Sequence, residues 1–466
     1  MLDKSKNEIV ILGGGVTGLT LAKELSERHR NKVTVIEKES FLGGMASTLS
    51  EGILSFDLGS HRLHKDISPK FIRYFEEILQ ERLLKRPRKG KLYVRGRFLS
   101  YPPNIFSLVK DLSVRGFMGL SKSYLKKFFS LRSRNGDNFE DTMIRRVGRE
   151  IYEIFYKDYA NKLWGKDPRQ ISINSMKKKM IFMNLWSLGK ALFKKNDYFY
   201  YPKYGIGQIA RKLEKSIMDN NCRIIKGAQV KQIIVDKGKV SGITVETSSG
   251  DKIDIDVSIL ISTIALDELF GLIFENEQVG YSLEWRDLRI LYILVEKNIK
   301  SESDTFYFPT SDIIFGRVSE IGKFSPHLNA SIKNTLLTIE IPLNIGDAIW
   351  NMGEQELLDL CLADLIKVGI LDKGQKVIKH FSLKLEKAYP IYNLGWKENF
   401  FKIYDKLAEI ENLFTIGRKG LFLQCNIDHC IIQGTELANF ILKDGWQGKN
   451  LWHKKALNFL KLDARD

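Results

Sequence analysis

Three glycines near the N-terminus have the spacing that binds a pyrophosphate. Gly13, Gly15 and Gly18 form a G-x-G-x-x-G pattern. In this pattern the first glycine permits a tight turn, the second lets a pyrophosphate approach the backbone, and the third lets a helix pack closely on a sheet. The N–H groups at the start of that helix, where Val16 and Thr17 lie, would then face the phosphates.

The segments around these glycines supply the elements that such a site needs. Residues 8–12 predict a buried strand, residues 19–29 have apolar side chains at helical spacing, and residues 32–36 predict a second strand. Glu37 ends that second strand and is suited to accept hydrogen bonds from a ribose diol, with Lys38 beside it. The N-terminal sequence therefore predicts a Rossmann-like βαβ unit that binds a dinucleotide.

A second glycine pair favours FAD over NAD as the dinucleotide. Gly43, Gly44 and Met45 follow the second strand directly, and the pair lets a loop close over the pyrophosphate from the other side. A NAD dehydrogenase would usually continue with a third βα unit, whereas residues 52–61 predict an apolar strand that enters a glycine turn. We therefore expect non-covalent FAD. NAD(P)H is expected at most as a transient reductant, because no second G-x-G-x-x-G domain is visible.

The net charge narrows the classes of partner. The 466 residues include 73 Lys and Arg against 56 Asp and Glu, which gives a formal net charge of +17. A basic surface suits nucleic acid, an anionic membrane or a phosphorylated small molecule, and the alternative is a solvated basic face. We expect no nucleic-acid partner because no recognition module is visible. We expect a small-molecule substrate, either a nucleotide sugar or another anionic compound.

Cysteine usage and hydropathy predict a cytoplasmic protein. The four cysteines have neither metal-ligand spacing nor a disulfide framework, so we expect reduced thiols and no metal. No signal-peptide core and no apolar run of about 18 residues is visible. Residues 122–134 mix Lys and Arg with Leu and Phe as an interfacial helix does, so peripheral contact at the inner face of the membrane stays an open alternative.

The length and the order of predicted elements indicate several domains. Helices are expected at residues 67–84, 204–220, 354–368 and 431–443, and a hairpin at residues 91–101. The predicted fold class is α/β, with a Rossmann-like FAD-binding domain of the glutathione-reductase or amine-oxidase type, a β-sheet substrate domain and a helical insertion. The expected segments are a first FAD-binding segment at 1–66, a mainly helical substrate or cap domain at 67–203, a second FAD-binding segment at 204–287, the β-sheet substrate domain at 288–400 and a C-terminal FAD-binding segment at 401–466.

Seven further segments carry motifs that occur together in one group of flavoproteins. They lie at residues 59–64, 98–104, 159–168, 198–207, 316–320, 388–390 and 417–420. In this order they resemble the UDP-galactopyranose mutase and protoporphyrinogen-oxidase-like branch of the flavin amine-oxidase superfamily. The segment at 59–64 is similar to the mutases' glycine–His-x-x-His segment beside the flavin, and the segment at 159–168 to the one with a substrate-contacting Trp. The resemblance covers nearly the whole chain and implies FAD.

The resemblance also implies contacts with the flavin and the substrate. His61 and His64 would lie against the flavin, and Arg317 would bind a substrate anion. Arg418 would contact the flavin or the substrate from the turn before the last helix. The further implied substrate-side residues are Trp164, Tyr201 and Lys178, and the further implied cofactor contacts are Val230, Gly417, Ile427 and Asp428.

Two enzymatic activities are compatible with these residues. The first is an FAD-dependent oxidoreductase of the amine-oxidase or protoporphyrinogen-oxidase-like type, whose flavin N5 accepts a hydride or an electron pair from the substrate. The alternative is a mutase-like enzyme that isomerises a nucleotide sugar with reduced FAD as the nucleophile. Lys178 and Gln424 stand where the mutases have an Arg and a Tyr, and these departures favour the oxidoreductase. A flavin-stabilised structural protein is a third hypothesis.

Overall fold

A five-stranded parallel sheet carries the glycine-rich turn. The computed structural model describes residues 8–28, 32–101, 137–173, 197–220, 222–274, 282–296, 299, 301–444, 446–462 and 464. The strands of this sheet run in the order Arg223–Lys226, Lys32–Glu37, Glu8–Leu12, Ile259–Ser262 and Leu413–Thr415. All pairings are parallel. The α/β class and the Rossmann-like unit predicted from the sequence are confirmed.

The first helix begins earlier than its apolar pattern predicted. It spans Val16–Arg28 rather than 19–29, so Val16 and Thr17 lie in its first turn. Gly18 permits this start, because a Cβ at Gly18 would lie 2.1 Å from the carbonyl oxygen of Gly13. The third glycine of the pattern therefore lets the helix pack on the turn, and its role is steric.

Two long helices pack beside this first helix. Gln208–Asp219 and Ile427–Asp444 both contact Val16–Arg28. The last of them begins four residues before the predicted 431–443, which brings residues 427–430 into its first turn. The other helices are Pro69–Leu79, Phe139–Val147, Arg149–Phe155, Lys157–Trp164, Leu266–Ile273, Ala348–Asn351, Glu354–Lys367, Trp396–Ala408, Gly417–Gly420 and Lys449–Ala456, with 3-10 turns at Gly44–Ala46, Pro168–Gln170, Ile321–Lys323, Trp446–Gly448 and Leu457–Lys461.

A seven-stranded sheet forms the second large layer. Its order is Val377–Ile391, Glu284–Val295, Thr335–Leu343, Arg317–Glu320, Thr305–Tyr307, Gly90–Val94 and Arg97–Tyr101. The last two strands are the predicted hairpin. It lies within the segment 67–203, which was expected to be mainly helical, but its strands belong to the seven-stranded sheet. The hairpin joins the sheet because Thr305–Tyr307 otherwise has an unpaired backbone edge, and Gly90–Val94 pairs with it in parallel.

Three small sheets complete the strands. One is a two-stranded hairpin, one joins segments that are distant in sequence, and one is an antiparallel meander. They consist of Thr48–Glu51 with Leu54–Asp57, of Leu63–His64 with Tyr198–Tyr201 and Leu84–Pro87, and of Ala228–Asp236 with Lys239–Thr247 and Lys252–Asp256. The second of these sheets returns the chain from the helical region to the parallel sheet.

The helical region is described only in part. Its described helices bury a separate core around Phe139, Tyr152 and Trp164. Lys178 and the predicted interfacial helix at 122–134 lie outside the described residues. Within the described ranges, no helix is both long enough and apolar enough to cross a bilayer.

Candidate functional site

A cavity of about 540 Å³ opens between the parallel sheet and the seven-stranded sheet. Leu12, Ile36 and Thr263 line it from the carboxyl ends of parallel strands, and Tyr307 and Arg317 line it from the opposite sheet. Ligands of open α/β sheets bind at the carboxyl ends of the strands, where the helix N-termini also point. The cavity therefore has the place in the fold that a dinucleotide site requires.

One end of the cavity is a cradle made of glycine backbone. A Cβ on Gly15 would meet no protein atom within 4 Å, so this position faces open space. Gly43 donates its N–H to the carbonyl of Gly14 at 2.8 Å, and a Cβ on Gly44 would lie 3.5 Å from the Cα of Gly15. The two glycine pairs thus approach each other across a gap that side chains would fill. This geometry fits a pyrophosphate.

Glu37 is held in place beside the cradle. One carboxylate oxygen accepts the N–H of Gly14 at 2.7 Å, and the other accepts the N–H of Glu39 at 2.9 Å. Burial raises the pKa of Glu37, and these two hydrogen bonds oppose the rise. Each carboxylate oxygen has a further lone pair. Glu37 can therefore accept hydrogen bonds from a ribose diol, and Lys38 lines the cavity next to it.

The opposite wall is built from one rung of the seven-stranded sheet. Leu383 pairs with Ile290, Ile290 with Glu340, Glu340 with Arg317, and Arg317 with Tyr307. Directly paired residues of neighbouring strands project from the same face of a sheet. The register of five strands therefore brings Leu383, Arg317 and Tyr307 to the same wall, although Leu383 and Tyr307 are 76 positions apart in sequence.

Arg317 is fixed by a bidentate ion pair. Its Nε and Nη2 donate to the two carboxylate oxygens of Glu340 at 2.8 and 2.5 Å. Burial lowers the pKa of Arg317, but the Glu340 carboxylate, with Tyr389 and Tyr307, raises it well above its usual range. Burial likewise raises the pKa of Glu340, and the Arg317 charge brings it below its usual value. Both groups are therefore charged, and the guanidinium is oriented in the plane of the carboxylate.

His61 is neutral at physiological pH. Burial lowers its pKa to about 4, and the charges of Arg317 and Arg418 act in the same direction. Its Nε2 lies 3.0 Å from the carbonyl oxygen of Leu58. A carbonyl oxygen only accepts, so Nε2 carries the proton and Nδ1 is an acceptor. His61 therefore presents a hydrogen-bond acceptor without adding a positive charge to the cavity.

Arg418 is anchored at the turn before the last helix. Its Nη1 donates to the carbonyl of Cys425 at 3.2 Å, and its Nη2 donates to the carbonyl of Ala388 at 2.9 Å. The guanidinium carbon lies 5.3 Å from the centre of the Tyr389 ring. Gly417 adopts a φ of 90°, which only glycine adopts readily. The turn therefore aims Arg418 at the cavity from the parallel-sheet side.

Cationic side chains outnumber acidic ones in the lining of the cavity. Glu37 and Glu39 lie beside the glycine cradle, whereas Arg317 lies on the seven-stranded sheet and Arg418 in the turn before the last helix. Asp304 pairs with Arg62 at 2.8 Å, as Glu340 does with Arg317. The cationic lining residues are Lys38, Arg62, Arg88, Arg317, Lys384, Arg418 and Lys419, against the acids Glu37, Glu39, Glu268 and Glu386. Asp304 and Glu340 neutralise two of these cations, so the lining keeps a small excess of positive charge, which suits an anionic ligand.

Most of the residues predicted from the sequence converge on this cavity. Those that line it are Gly13, Gly15, Val16, Thr17, Glu37, Lys38, Gly43, Gly44, Met45, His61, His64, Val230, Arg317, Gly417, Arg418 and Ile427. Gly18 packs under the turn. Lys178 lies outside the described residues.

Three predicted residues lie in the protein core instead of the cavity wall. Trp164 is 2% exposed and packs edge-to-face on Phe139, with ring centres 5.1 Å apart. Tyr201 is fully buried and donates its hydroxyl to Asp57. Asp428 is also buried, beside His429. Tyr198 and Phe199, at the start of the strand Tyr198–Tyr201, line the cavity, whereas Tyr201 at its end does not.

Other lining residues were not singled out from the sequence. Thr263 follows the strand Ile259–Ser262, and its hydroxyl donates to the carbonyl of Leu12 at 2.8 Å. Its position after a buried parallel strand was the available signal. Tyr307 and Lys384 had no such signal, because their place in the wall depends on strand register.

Comparisons with known proteins agree with this geometry. A profile of NAD(P)-binding Rossmann-like domains matches residues 11–78, and a profile of UDP-galactopyranose mutase matches residues 154–355. The chain is 20% identical to dTDP-fucopyranose mutase of Escherichia coli over 461 residues, covering 94% of this chain and 99% of that protein. It is 21% identical to coproporphyrinogen III oxidase of Bacillus subtilis over 476 residues, covering 93% and 97%.

Solved structures share the fold along most of the chain. Reduced UDP-galactopyranose mutase superposes with a TM-score of 0.79 at 19% identity, covering 97% of this chain and 98% of that chain. A putrescine oxidase bound to putrescine superposes with a TM-score of 0.62 at 16% identity, covering 94% and 99%. None of these comparisons supports the expected NAD(P)H reductant.

Proposed function

We propose that this chain, which has the fold of the flavin amine-oxidase superfamily, is an FAD enzyme that isomerises a nucleotide sugar without net oxidation or reduction. The observation that carries the proposal is the pair of guanidinium groups that line the cavity, Arg317 from the seven-stranded sheet and Arg418 from the short helix Gly417–Gly420. This reverses the preference for an oxidoreductase that Lys178 and Gln424 gave. Gln424 lines the cavity and keeps both a donor and an acceptor for a phosphate or a sugar hydroxyl.

The fit of the cradle supports FAD as the cofactor. The backbone of Gly15 and Gly44 would hold the pyrophosphate, and Glu37 would bind the adenosine ribose. The flavin ring would lie at the turn that carries Gly417 and at the start of the last helix at Ile427. These groups are the open glycine positions and the oriented carboxylate described above. When bound in its reduced form, FAD supplies an electron-rich nucleophile for the anomeric carbon of the sugar.

Arg317 and Arg418 would hold the diphosphate of the substrate. A nucleoside diphosphate becomes the leaving group when the anomeric bond breaks, and two cations stabilise the charge that develops on it. Glu340 prevents Arg317 from rotating away, and two carbonyl groups do the same for Arg418. The same charges disfavour a protonated amine, so the cavity does not suit an amine substrate even though an amine oxidase shares the fold.

His61 would position the reacting groups without adding charge. Its Nδ1 is an acceptor that can bind a sugar hydroxyl or an N–H of the cofactor, because Nε2 is committed to Leu58. Apolar and aromatic side chains, among them Leu58, Leu383 and Tyr307, line the same wall and exclude water. Exclusion of water protects the glycosyl group from hydrolysis while the diphosphate is detached.

A second candidate is the oxidation of a polyanionic substrate. The cationic wall would bind carboxylates as well as a diphosphate. The full-length similarity to coproporphyrinogen III oxidase of Bacillus subtilis supports this alternative. In that case the oxidised flavin would take electrons from the substrate, so the redox state that the enzyme requires distinguishes the two candidates.

The decisive experiment incubates dithionite-reduced holoprotein, without oxygen, with UDP- and dTDP-linked hexopyranoses and their furanose isomers. We expect an isomerised sugar nucleotide on chromatography and a flavin spectrum that is still reduced at the end. Arg418→Ala should lose this conversion, and Arg223→Ala, on an exposed edge-strand position, should keep it. Conversion of coproporphyrinogen by the oxidised protein, with no sugar isomerised by the reduced protein, would establish the oxidase instead.

A further inference from the structure

Two cysteines line the cavity with their sulfur atoms in contact. The Sγ atoms of Cys425 and Cys430 are 3.7 Å apart, and both residues line the cavity described above. Neither has a role in the proposed isomerisation. The pair has four residues between its members, so it is set by the turn into the last helix and not by two distant segments.

Cys430 lies where a thiolate is stabilised. It is in the first turn of the helix Ile427–Asp444, whose N-terminus is the positive end of the helix dipole. The hydrogen bond with Cys425 lowers the pKa of Cys430 most, and Thr17 and the Arg418 charge add to this effect against the opposing effect of burial. The thiolate is the nucleophile in disulfide formation, so Cys430 is the residue poised to react.

The two sulfur atoms are the nearest groups of the pair, and closure to a disulfide brings them together directly. The sulfur atoms must approach from 3.7 Å to the bond length of about 2.0 Å. Cys425 belongs to the irregular stretch that precedes the helix, so its side chain can turn without breaking a helical or strand hydrogen bond. Cys430 is only half-buried on the cavity side, which leaves a path for exchange with another thiol.

The other two cysteines have the opposite surroundings. Cys222 donates to the carbonyl of Val33 at 3.1 Å, and Cys361 packs in the core of the seven-stranded sheet. Burial raises the pKa of each to about 12. These two thiols are inert by position, and they provide an internal comparison for the cavity pair.

We propose that Cys425 and Cys430 are a redox-active dithiol that passes its electron pair to FAD bound in the cavity. The proposal rests on the FAD that the proposed function requires. Two S–H bonds break, one S–S bond forms, and the two electrons and two protons released convert FAD to its two-electron-reduced form. A dithiol from solution then restores the pair by thiol–disulfide exchange. The isomerisation needs reduced FAD. This step would therefore reduce the FAD again after oxygen had oxidised it.

The test follows the flavin absorbance of oxidised holoprotein during anaerobic addition of dithiothreitol. We expect the wild type to bleach, and Cys425→Ser and Cys430→Ser to bleach at least about tenfold more slowly, because the variants lose the intramolecular donor. The flavin of Cys361→Ala should bleach at the wild-type rate, because Cys361 lies in the core of the seven-stranded sheet and away from the cavity. Dithionite should reduce all four proteins, which verifies that each holds FAD.

A second readout is independent of the flavin spectrum. After oxidation in air and alkylation, the tryptic peptide of residues 420–443 contains both cysteines. It should be unalkylated and two hydrogens lighter than its dithiol form. Equal bleaching rates in the wild type and both serine variants, or full alkylation of this peptide while the flavin is oxidised, would overturn the proposal. Neither result affects the sugar assay with dithionite, and a failed sugar assay with intact dithiol chemistry would overturn only the proposed isomerisation.

Discussion

Arg317 and Glu340 face each other on adjacent strands of the seven-stranded sheet, joined by two hydrogen bonds of 2.8 and 2.5 Å. Ser60 donates its N–H to the same carboxylate at 2.9 Å. The carboxylate therefore links the sheet to the segment that carries His61. This link sets the distance between the cationic wall and the cofactor cradle, and it can be tested from both of its partners.

Removing the carboxylate should leave an uncompensated charge. We expect Glu340→Ala to lower the free energy of unfolding by about 3–5 kcal/mol, as when one partner of a buried ion pair is deleted. Urea unfolding would measure this loss. The double variant Arg317→Ala/Glu340→Ala should be more stable than the sum of the single losses implies. Strict additivity would mean that the pair is not coupled.

Shortening Arg317 to an ammonium should weaken the binding of a diphosphate. Lys has one point charge, so it cannot pair with Glu340 and contact a diphosphate as a planar fork does. We expect Arg317→Lys to raise the Kd of UDP at least about tenfold, which corresponds to about 1.4 kcal/mol. Calorimetric titration would measure it, with Arg223→Lys on the exposed edge strand as the control. An unchanged Kd would remove Arg317 from the diphosphate site.

Two glycines of the same turn should respond differently to alanine. An alanine methyl group at Gly15 would have no protein atom within 4 Å, so Gly15→Ala should keep the melting temperature of the apoprotein and bind FAD at least about tenfold more weakly. Gly18→Ala should lower the melting temperature, because its Cβ would lie 2.1 Å from a carbonyl oxygen. Thermal unfolding with and without FAD separates the two. Wild-type FAD affinity in Gly15→Ala would contradict the pyrophosphate cradle.

Asp57 should make stability depend on pH. Burial raises the pKa of Asp57 to about 6, from 3.8 in the unfolded chain. Between these values the folded protein binds more protons than the unfolded one, so its free energy of unfolding falls as pH rises from about 4 to about 6, by about 3 kcal/mol in total from this group. Asp57→Asn should remove this part of the slope in urea unfolding measured at each pH.

Tyr201→Phe provides a second test of the pH dependence that Asp57 causes. The hydroxyl of Tyr201 donates to the carboxylate and lowers the pKa of Asp57, so its loss should extend the fall in stability to higher pH. Identical slopes in the wild type and in Asp57→Asn would show that Asp57 titrates alike in both states.

Local sequence determined the cofactor half of the site. The glycine spacing, the strands on either side and Glu37 lie within 30 consecutive residues, so backbone geometry alone brings them together. The turn at Gly417 and the helix behind it were predicted for the same reason. Element ends were less well determined: the last helix begins at Ile427 and not at 431, because a helix start depends on the hydrogen bonds of its first turn more than on apolar periodicity.

The substrate half was decided by tertiary structure. Arg317 meets Glu340 because of strand register, which a local pattern does not encode. Trp164 lies in the core because Phe139 and its neighbours surround it, whereas its segment alone could equally present it to a ligand. The hairpin at 90–101 joined the sheet through a backbone edge more than 200 residues away in sequence. Such long-range pairing is favoured because buried backbone groups need hydrogen-bond partners and buried charges need counter-charges. These partners come from distant parts of the chain, so the pairing is determined only in the folded molecule.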